Sequence, residues 1–378
     1  MKKRRLLQVG GGILLTTLLF CLTVAPVRSA RTSTLRIRQR QATTSINATF
    51  YLQSGSLQPI FQSNIDNDVP GAVHNAITSI VGQLPAVDQG WGMQMANALI
   101  QPSATLTALT PQQGGMATTI KLNLYPGDPQ PTNAQMLITF SVQDSSTIQV
   151  SAQPVSGSPT LVSGPIMTFQ MPIGQLSSIA TTPSCGNAAL AVKLQFPISL
   201  GVTGTSTPSG QVARSNSNVQ ARQNNIANTA TNNNPASYIE IPASSLAALG
   251  NSIGSLPISS NMTAQNIQIA VQGSNLIITS NIMLGSFELG TATTTVTPTA
   301  TNGSLAVNVL NTTLTVFQIF TFPDNTYNQQ IEQTLNSDLN GALSGKFNVT
   351  NVSIGGGSAL PCAANDSLVL TGTTGLIA

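Results

Sequence analysis

Over most of its length the chain alternates apolar and polar positions in short runs, the period of half-buried strands. Residues 46–52 read as a first strand, and further strands are predicted over 117–125, 133–142, 147–153, 166–171 and 188–200. Clusters of Gly, Pro, Asn and Asp separate them, as turns require. The pattern resumes later: Ile267, Ile269 and Val271 alternate with polar residues, as do Leu305, Val307 and Val309 after Asn302-Gly303. Asn-Gly between alternating runs is a hairpin signal, because both residues tolerate left-handed backbone. Phe347, Val349, Val352 and Ile354 predict a late strand, and 368–370 the last.

Two stretches follow the helical period instead. Val69, Val73, Ile77, Ile80 and Leu84 fall three or four apart, with Asp68 as a cap, Pro70 in the first turn and Pro85 as the stop. They predict a helix over 69–84 with one apolar stripe. Tyr327, Ile331, Leu335 and Leu339 are spaced by four after Pro323-Asp324-Asn325 and predict a second. Shorter helices are expected over 91–100 and 243–249.

Residues 202–236 break the pattern. Thr, Ser, Asn, Gln and Gly dominate, which predicts a polar low-complexity loop between a first half, 46–201, and a second, 237–378. The other end of the chain reads as a leader. Lys2, Lys3, Arg4 and Arg5 precede an apolar stretch over 6–24, and Val27-Arg28-Ser29 places small residues for cleavage before Ala30. Residues 1–29 are therefore a signal peptide or, if uncleaved, a membrane anchor. Both readings place the rest outside the cytoplasm. Residues 30–45 read as a flexible basic arm.

Charge sharpens this picture. Charged residues are only 7% of the chain, and nine of the 14 Lys and Arg lie in the first 40 residues. From residue 41 onward five bases face all 11 acids, a net charge of −6, so no basic groove for nucleic acid is expected. Beyond the leader only Cys185 and Cys362 remain. In an exported protein such a pair is a candidate disulfide, with two buried thiols as the other reading.

No catalytic, metal or cofactor constellation emerges. His74 is the one histidine, too few for a clustered metal site. Gly250-Asn251-Ser252-Ile253-Gly254 matches G-x-S-x-G. That motif needs a strand before it and a histidine after it, and here a helix is predicted before it and His74 lies upstream. A non-enzymatic protein is expected.

The order of elements over 237–373 is specific. An I-x-x-S-x-L-A-A-L helix is followed by T-V-T-P with N-G-S-L-A-V-N-V, then F-N-V-T-N-V-S-I-G and A-N-D-S-L-V-L-T-G. This resembles the C-terminal part of the LmeA-type phospholipid-binding family of exported bacterial proteins. The resemblance implies an α+β, tubular lipid-binding-like fold: a strongly curved antiparallel β-sheet wrapped around long amphipathic helices. Its implied partner is a lipid or membrane surface. On that reading acyl chains meet Val73, Ile77 and Ile80, then Tyr327, Ile331, Leu335 and Leu339. A sheet wall of Ile267, Ile269, Val271, Leu305, Val307 and Val309 faces them. Read by periodicity alone, the same residues fit a filled core equally well, in a surface-exposed structural or adhesive β-protein. Trp91, Met93 and Met95 fit either an apolar tip touching a membrane or a second buried patch, and the buried patch is the expectation.

Overall fold

The computed structural model describes residues 43–158, 162–186, 188–199, 237–258, 261–325, 328–329, 331–333, 336, 343 and 346–374. The predicted leader and polar loop lie outside them, as do residues 30–42 of the predicted basic arm and Tyr327, Leu335 and Leu339; the arm's last three residues, Thr43–Ser45, belong to the first strand instead.

The described residues form a β-rich protein with antiparallel pairing throughout. The chain opens with β1 (Thr43–Gln53), α1 (Ser54–Val81) and α2 (Ala86–Leu99). A five-stranded meander follows: β2 (Ser103–Gln112), β3 (Gly115–Asn123), β4 (Thr132–Val142), β5 (Thr147–Pro154) and β6 (Gly164–Gln170). The hairpin of β7 (Gln175–Cys185) and β8 (Ala188–Ser199) closes the first half.

The second half repeats this plan. It runs β9 (Ser237–Ile241), α3 (Ala243–Ile253), then the meander β10 (Ser255–Pro257), β11 (Met262–Gln272), β12 (Asn275–Leu284), β13 (Phe287–Thr301), β14 (Ser304–Val316) and β15 (Phe320–Pro323). The hairpin of β16 (Asn348–Ile354) and β17 (Leu368–Thr373) closes it.

The two closing hairpins and the two opening strands form one central sheet, ordered β16-β17-β9-β1-β8-β7. That order is symmetrical about the β1–β9 seam, where Phe50 pairs with Ile239. β8 lies beside β1 as β17 lies beside β9, and β7 and β16 take the two edges. In topology the halves are thus related by a pseudo-two-fold axis through the seam. The first meander packs on β7, and the second on β16. A single apolar core runs through all three sheets, from Leu106 and Met136 through Phe50 and Leu190 to Val296 and Leu305.

Several expectations are corrected. The described residues form three antiparallel sheets, and one sheet wrapped around long helices is not seen among them. The first helix begins at Ser54, directly after β1, so Asp68 and Pro70 lie inside it and do not start it. Leu57, Phe61 and Ile65 continue the stripe toward the N-terminus and pack on the core, which outweighs the hydrogen bond lost at Pro70. α1 is the one long helix among the described residues, and its stripe does not stay on one face. Leu57, Phe61, Ile65, Val69, Val73 and Ile77 recur every fourth residue, so each step turns about 40° past a full circle and the row winds by about 200°. Burial fades accordingly: Leu57 and Phe61 are buried, Val73 is half-buried against the core, and Ile80 is exposed.

Strands β2 and β7 were not predicted. A bulge between Leu106 and Ala108 breaks the alternation of β2, and edge strand β7 is mostly polar with register shifts. The predicted hairpin forms: Thr301 pairs with Ser304 around Asn302 and Gly303, both left-handed at φ 51° and 77°.

Candidate functional site

The structure separates the expected lipid-contacting residues into three groups. Ile267, Ile269, Leu305 and Val307 of the proposed sheet wall are covered by protein side chains and fully buried, with Val271 and Val309 half-buried beside the core. A side chain already covered this way has no free face for a hydrocarbon tail, so at these positions core packing fills the expected slot. Val73 and Ile77 are half-buried and Ile80 is exposed along the outer part of α1. Ile331 is helical and half-buried.

Amide side chains hold both helical segments against free strand edges. Gln62 of α1 accepts from Leu106 N–H at 2.8 Å and donates to Ala104 C=O at 2.9 Å, completing the open edge of β2. In the second half Asn336 does the same at β14, accepting from Val307 N–H at 2.7 Å. Thr312 Oγ1 donates to Asn328 Oδ1 at 2.7 Å, eight residues before Asn336 in the chain. An unpaired backbone N–H is costly when water is excluded, so these contacts fix where each segment lies. The stripe period carried no sign of them.

Beyond Gln62, α1 runs outward and folds back as α2. No residue of α2 is buried. Its inner side meets α1 at Gly92, where an added Cβ would come within 3.1 Å of Leu84 and 3.3 Å of Val81. Its outer side carries Val87, Trp91, Met95 and Leu99 at four-residue spacing, exposed by 88%, 66%, 41% and 62%. Ile80 near the end of α1 and Leu84 just past it are exposed as well, by 65% and 41%. Between Pro70 and Gln101 the only acid is Asp88, and there is no Lys or Arg. An apolar row turned toward solvent is the reverse of ordinary helix packing, in which the apolar stripe faces the core. Against the expected buried patch, Trp91 and Met95 belong to this row, and Met93 is half-buried.

A polar cavity of about 400 Å³ lies beside the bulge of β11. Asn251, Asn266, Gln268, Thr279, Asn281 and Thr291 line it, with no aliphatic wall. It therefore suits water or a neutral polar molecule better than an acyl chain.

Groups of reactive type are placed structurally. His74 is exposed on α1. Among the described residues no group of His, Cys, Asp and Glu is placed to hold a metal ion. The G-x-S-x-G stretch is the C-terminal end of α3, with Ser252 Oγ donating to Leu249 C=O at 2.7 Å. Glu240 is buried at the seam, accepting from Tyr51 and from Ala364 N–H, both at 2.8 Å. Beside it Cys185 and Cys362 form a disulfide with Cα atoms 5.2 Å apart. Tyr51, Tyr238, Leu360 and Val369 pack around that bridge. Such a bond fits an oxidising compartment.

No family model matches this chain, and no curated protein matches it. Among solved structures it is similar to P47 of Clostridium botulinum E1, at 6% identity over 88% of this chain and 100% of that one, with a TM-score of 0.32. It is also similar to P47 from Clostridium botulinum A2, at 8% identity over 87% and 97%, with a TM-score of 0.27. A likeness of that extent fixes neither fold nor function.

Proposed function

We propose that this chain is an exported, non-enzymatic lipid-binding protein of the cell envelope that meets lipid through the outward face of the α1–α2 hairpin. The observation that supports the reading is the row Val87, Trp91, Met95 and Leu99, exposed among the described residues on a helix that buries nothing. Lipid covers such a row at a gain of about 0.8 kcal/mol per buried methylene. Of the residues expected from the sequence to meet lipid, Ile80 is exposed, and Val73, Ile77 and Ile331 are half-buried, so each keeps a surface that an acyl chain could cover. Export rests on the basic-then-apolar leader and agrees with the disulfide.

Trp91 is the chain's one tryptophan, so its emission reports this surface alone. Phosphatidylcholine vesicles are expected to shift that emission to the blue, and Val87→Asp with Leu99→Asp to abolish the shift. An organic extract of the purified protein is expected to contain lipid by mass spectrometry. A lipid-free extract together with an unmoved Trp91 spectrum would overturn the proposal.

The filled core around Ile267, Ile269, Leu305 and Val307 favours a second reading, a surface-exposed structural or adhesive β-protein. That reading predicts the lipid-free outcome.

A further inference from the structure

The second half carries an apolar surface of its own. At one end of its meander, β12 turns into β13 through Gly285-Ser286, and β14 turns into β15 through 317–319. Phe287 and Phe317 stand on these neighbouring turns with ring centroids 6.2 Å apart. Ile319, Phe320 and Phe322 continue the patch, with Ile319 exposed by 75% and Phe320 by 62%. The chain has 11 phenylalanines, and four of them are spent here in solvent while Phe50, Phe61, Phe169, Phe196 and Phe347 are buried. Phe317 is also held in left-handed backbone, φ 52°, followed by Gln318 at φ 58°. A bulky side chain pays for that conformation where Asn or Gly would adopt it freely. The turn thus keeps an aromatic ring outward at a cost in stability.

Charge and shape select the partner. No Lys or Arg occurs between Arg222 and Lys346, while Glu288 and Asp324 flank the patch. Anionic headgroups would be repelled. The patch sits on two tight turns at one end of the meander, a placement suited to entering an interface more than to receiving a protein ridge. We infer that the Phe287–Phe317–Phe320 tip docks the second half onto a bilayer of zwitterionic lipid, independently of α2. The chain would then touch lipid at one point in each half.

The test uses the full chain with Trp91→Phe, so that α2 is silent. Phe320→Trp reports the tip. Asn308→Trp is the control, an exposed position on β14 about 30 Å from the turn. In vesicles of brominated phosphatidylcholine the Phe320→Trp emission is expected to be blue-shifted and largely quenched, equally in low salt and in about 1 M salt. The Asn308→Trp emission is expected to be unquenched. Adding Phe317→Asn suits the left-handed turn, so thermal stability is expected to hold or rise while the quenching weakens. Absent quenching, or equal quenching at both positions, overturns the inference. A blue shift that grows with protein concentration without vesicles also overturns it, in favour of a second copy of the chain. If only this tip fails while Trp91 of the native chain still reports lipid, the proposed function stands without it.

Discussion

The Tyr51 phenol donates a 2.8 Å hydrogen bond to Glu240 Oε2 across the seam where the two halves join. Both residues are buried, and Thr49 pairs with Glu240 as Tyr51 pairs with Tyr238. Gln53 adds a bond to the Tyr238 hydroxyl at 3.0 Å. The three paired positions between β1 and β9 among the described residues are therefore reinforced by side chains. Tyr51→Phe removes the donor and leaves Oε2 buried without it, at a cost of about 1–3 kcal/mol. Urea unfolding of the two proteins measures this directly.

The same contact sets an alkaline limit. Burial, then the hydrogen bond and charge of Glu240, push the Tyr51 pKa far above its ordinary value of 10.0. The folded state therefore holds the phenol proton more tightly than the unfolded state. Stability from this group is fully present below pH 10 and falls as pH rises above it. Tyr51→Phe is expected to flatten that fall between about pH 10 and 11, read as the slope of melting temperature against pH. An unchanged slope would show that Tyr51 is not the group responsible.

The Cys185–Cys362 bridge joins the end of β7 to the loop between β16 and β17, a separation of 177 residues. It ties the closing hairpins of the two halves beside the seam. Cys185→Ser with Cys362→Ser is expected to lower stability by about 2–5 kcal/mol and to remove the mobility difference between reduced and oxidised protein on a gel. Persistence of that difference would mean another pairing.

Much of the strand content was legible because it depends on alternation along one short segment, as at Ile267–Ile269 and Leu305–Val307. The Asn302-Gly303 hairpin was legible for a local reason too, since its turn needs two residues that accept positive φ. What alternation cannot carry is which sheet a strand joins, so the seam of Phe50 with Ile239 had no local sign. Helix α1 was misplaced because Asp68 and Pro70 read as its cap and first turn, while the burial of Leu57 and Phe61 starts the helix at Ser54 and holds it through Pro70. The lipid-facing assignment fared worst at the sheet wall. A row of aliphatics has one period whether side chains or lipid cover it, and the structure covers Ile269 and Leu305 with side chains.

Gly250 separates a packing role from a catalytic one. It lies within α3, and an added Cβ would come within 2.9 Å of Ile267 C=O and Ile269 N–H. The helix thus approaches β11 closely enough to exclude any side chain. Gly250→Ala gains about 1 kcal/mol of helix propensity but overpacks this crossing by about 1–3 kcal/mol. The melting temperature is expected to fall. A rise would show that β11 can yield.

Two apolar residues in this chain are expected to respond oppositely to truncation. Leu305 is 1% exposed within the core that joins the sheets. Leu305→Ala is expected to cost about 2–5 kcal/mol in urea unfolding, the transfer and cavity loss of a buried leucine. Trp91 is the larger side chain, yet it is mostly in solvent on a helix that buries nothing. Trp91→Ser is expected to change stability by no more than about 0.5 kcal/mol. The two proteins should exchange rank when vesicle flotation is measured. Trp91→Ser, combined with Val87→Ser, is expected to float less than the parent, and Leu305→Ala to float like the parent while folded. If truncating Trp91 instead destabilises the chain as Leu305→Ala does, then α2 is covered in the folded protein. Its apolar row would then be core, with no surface there for lipid.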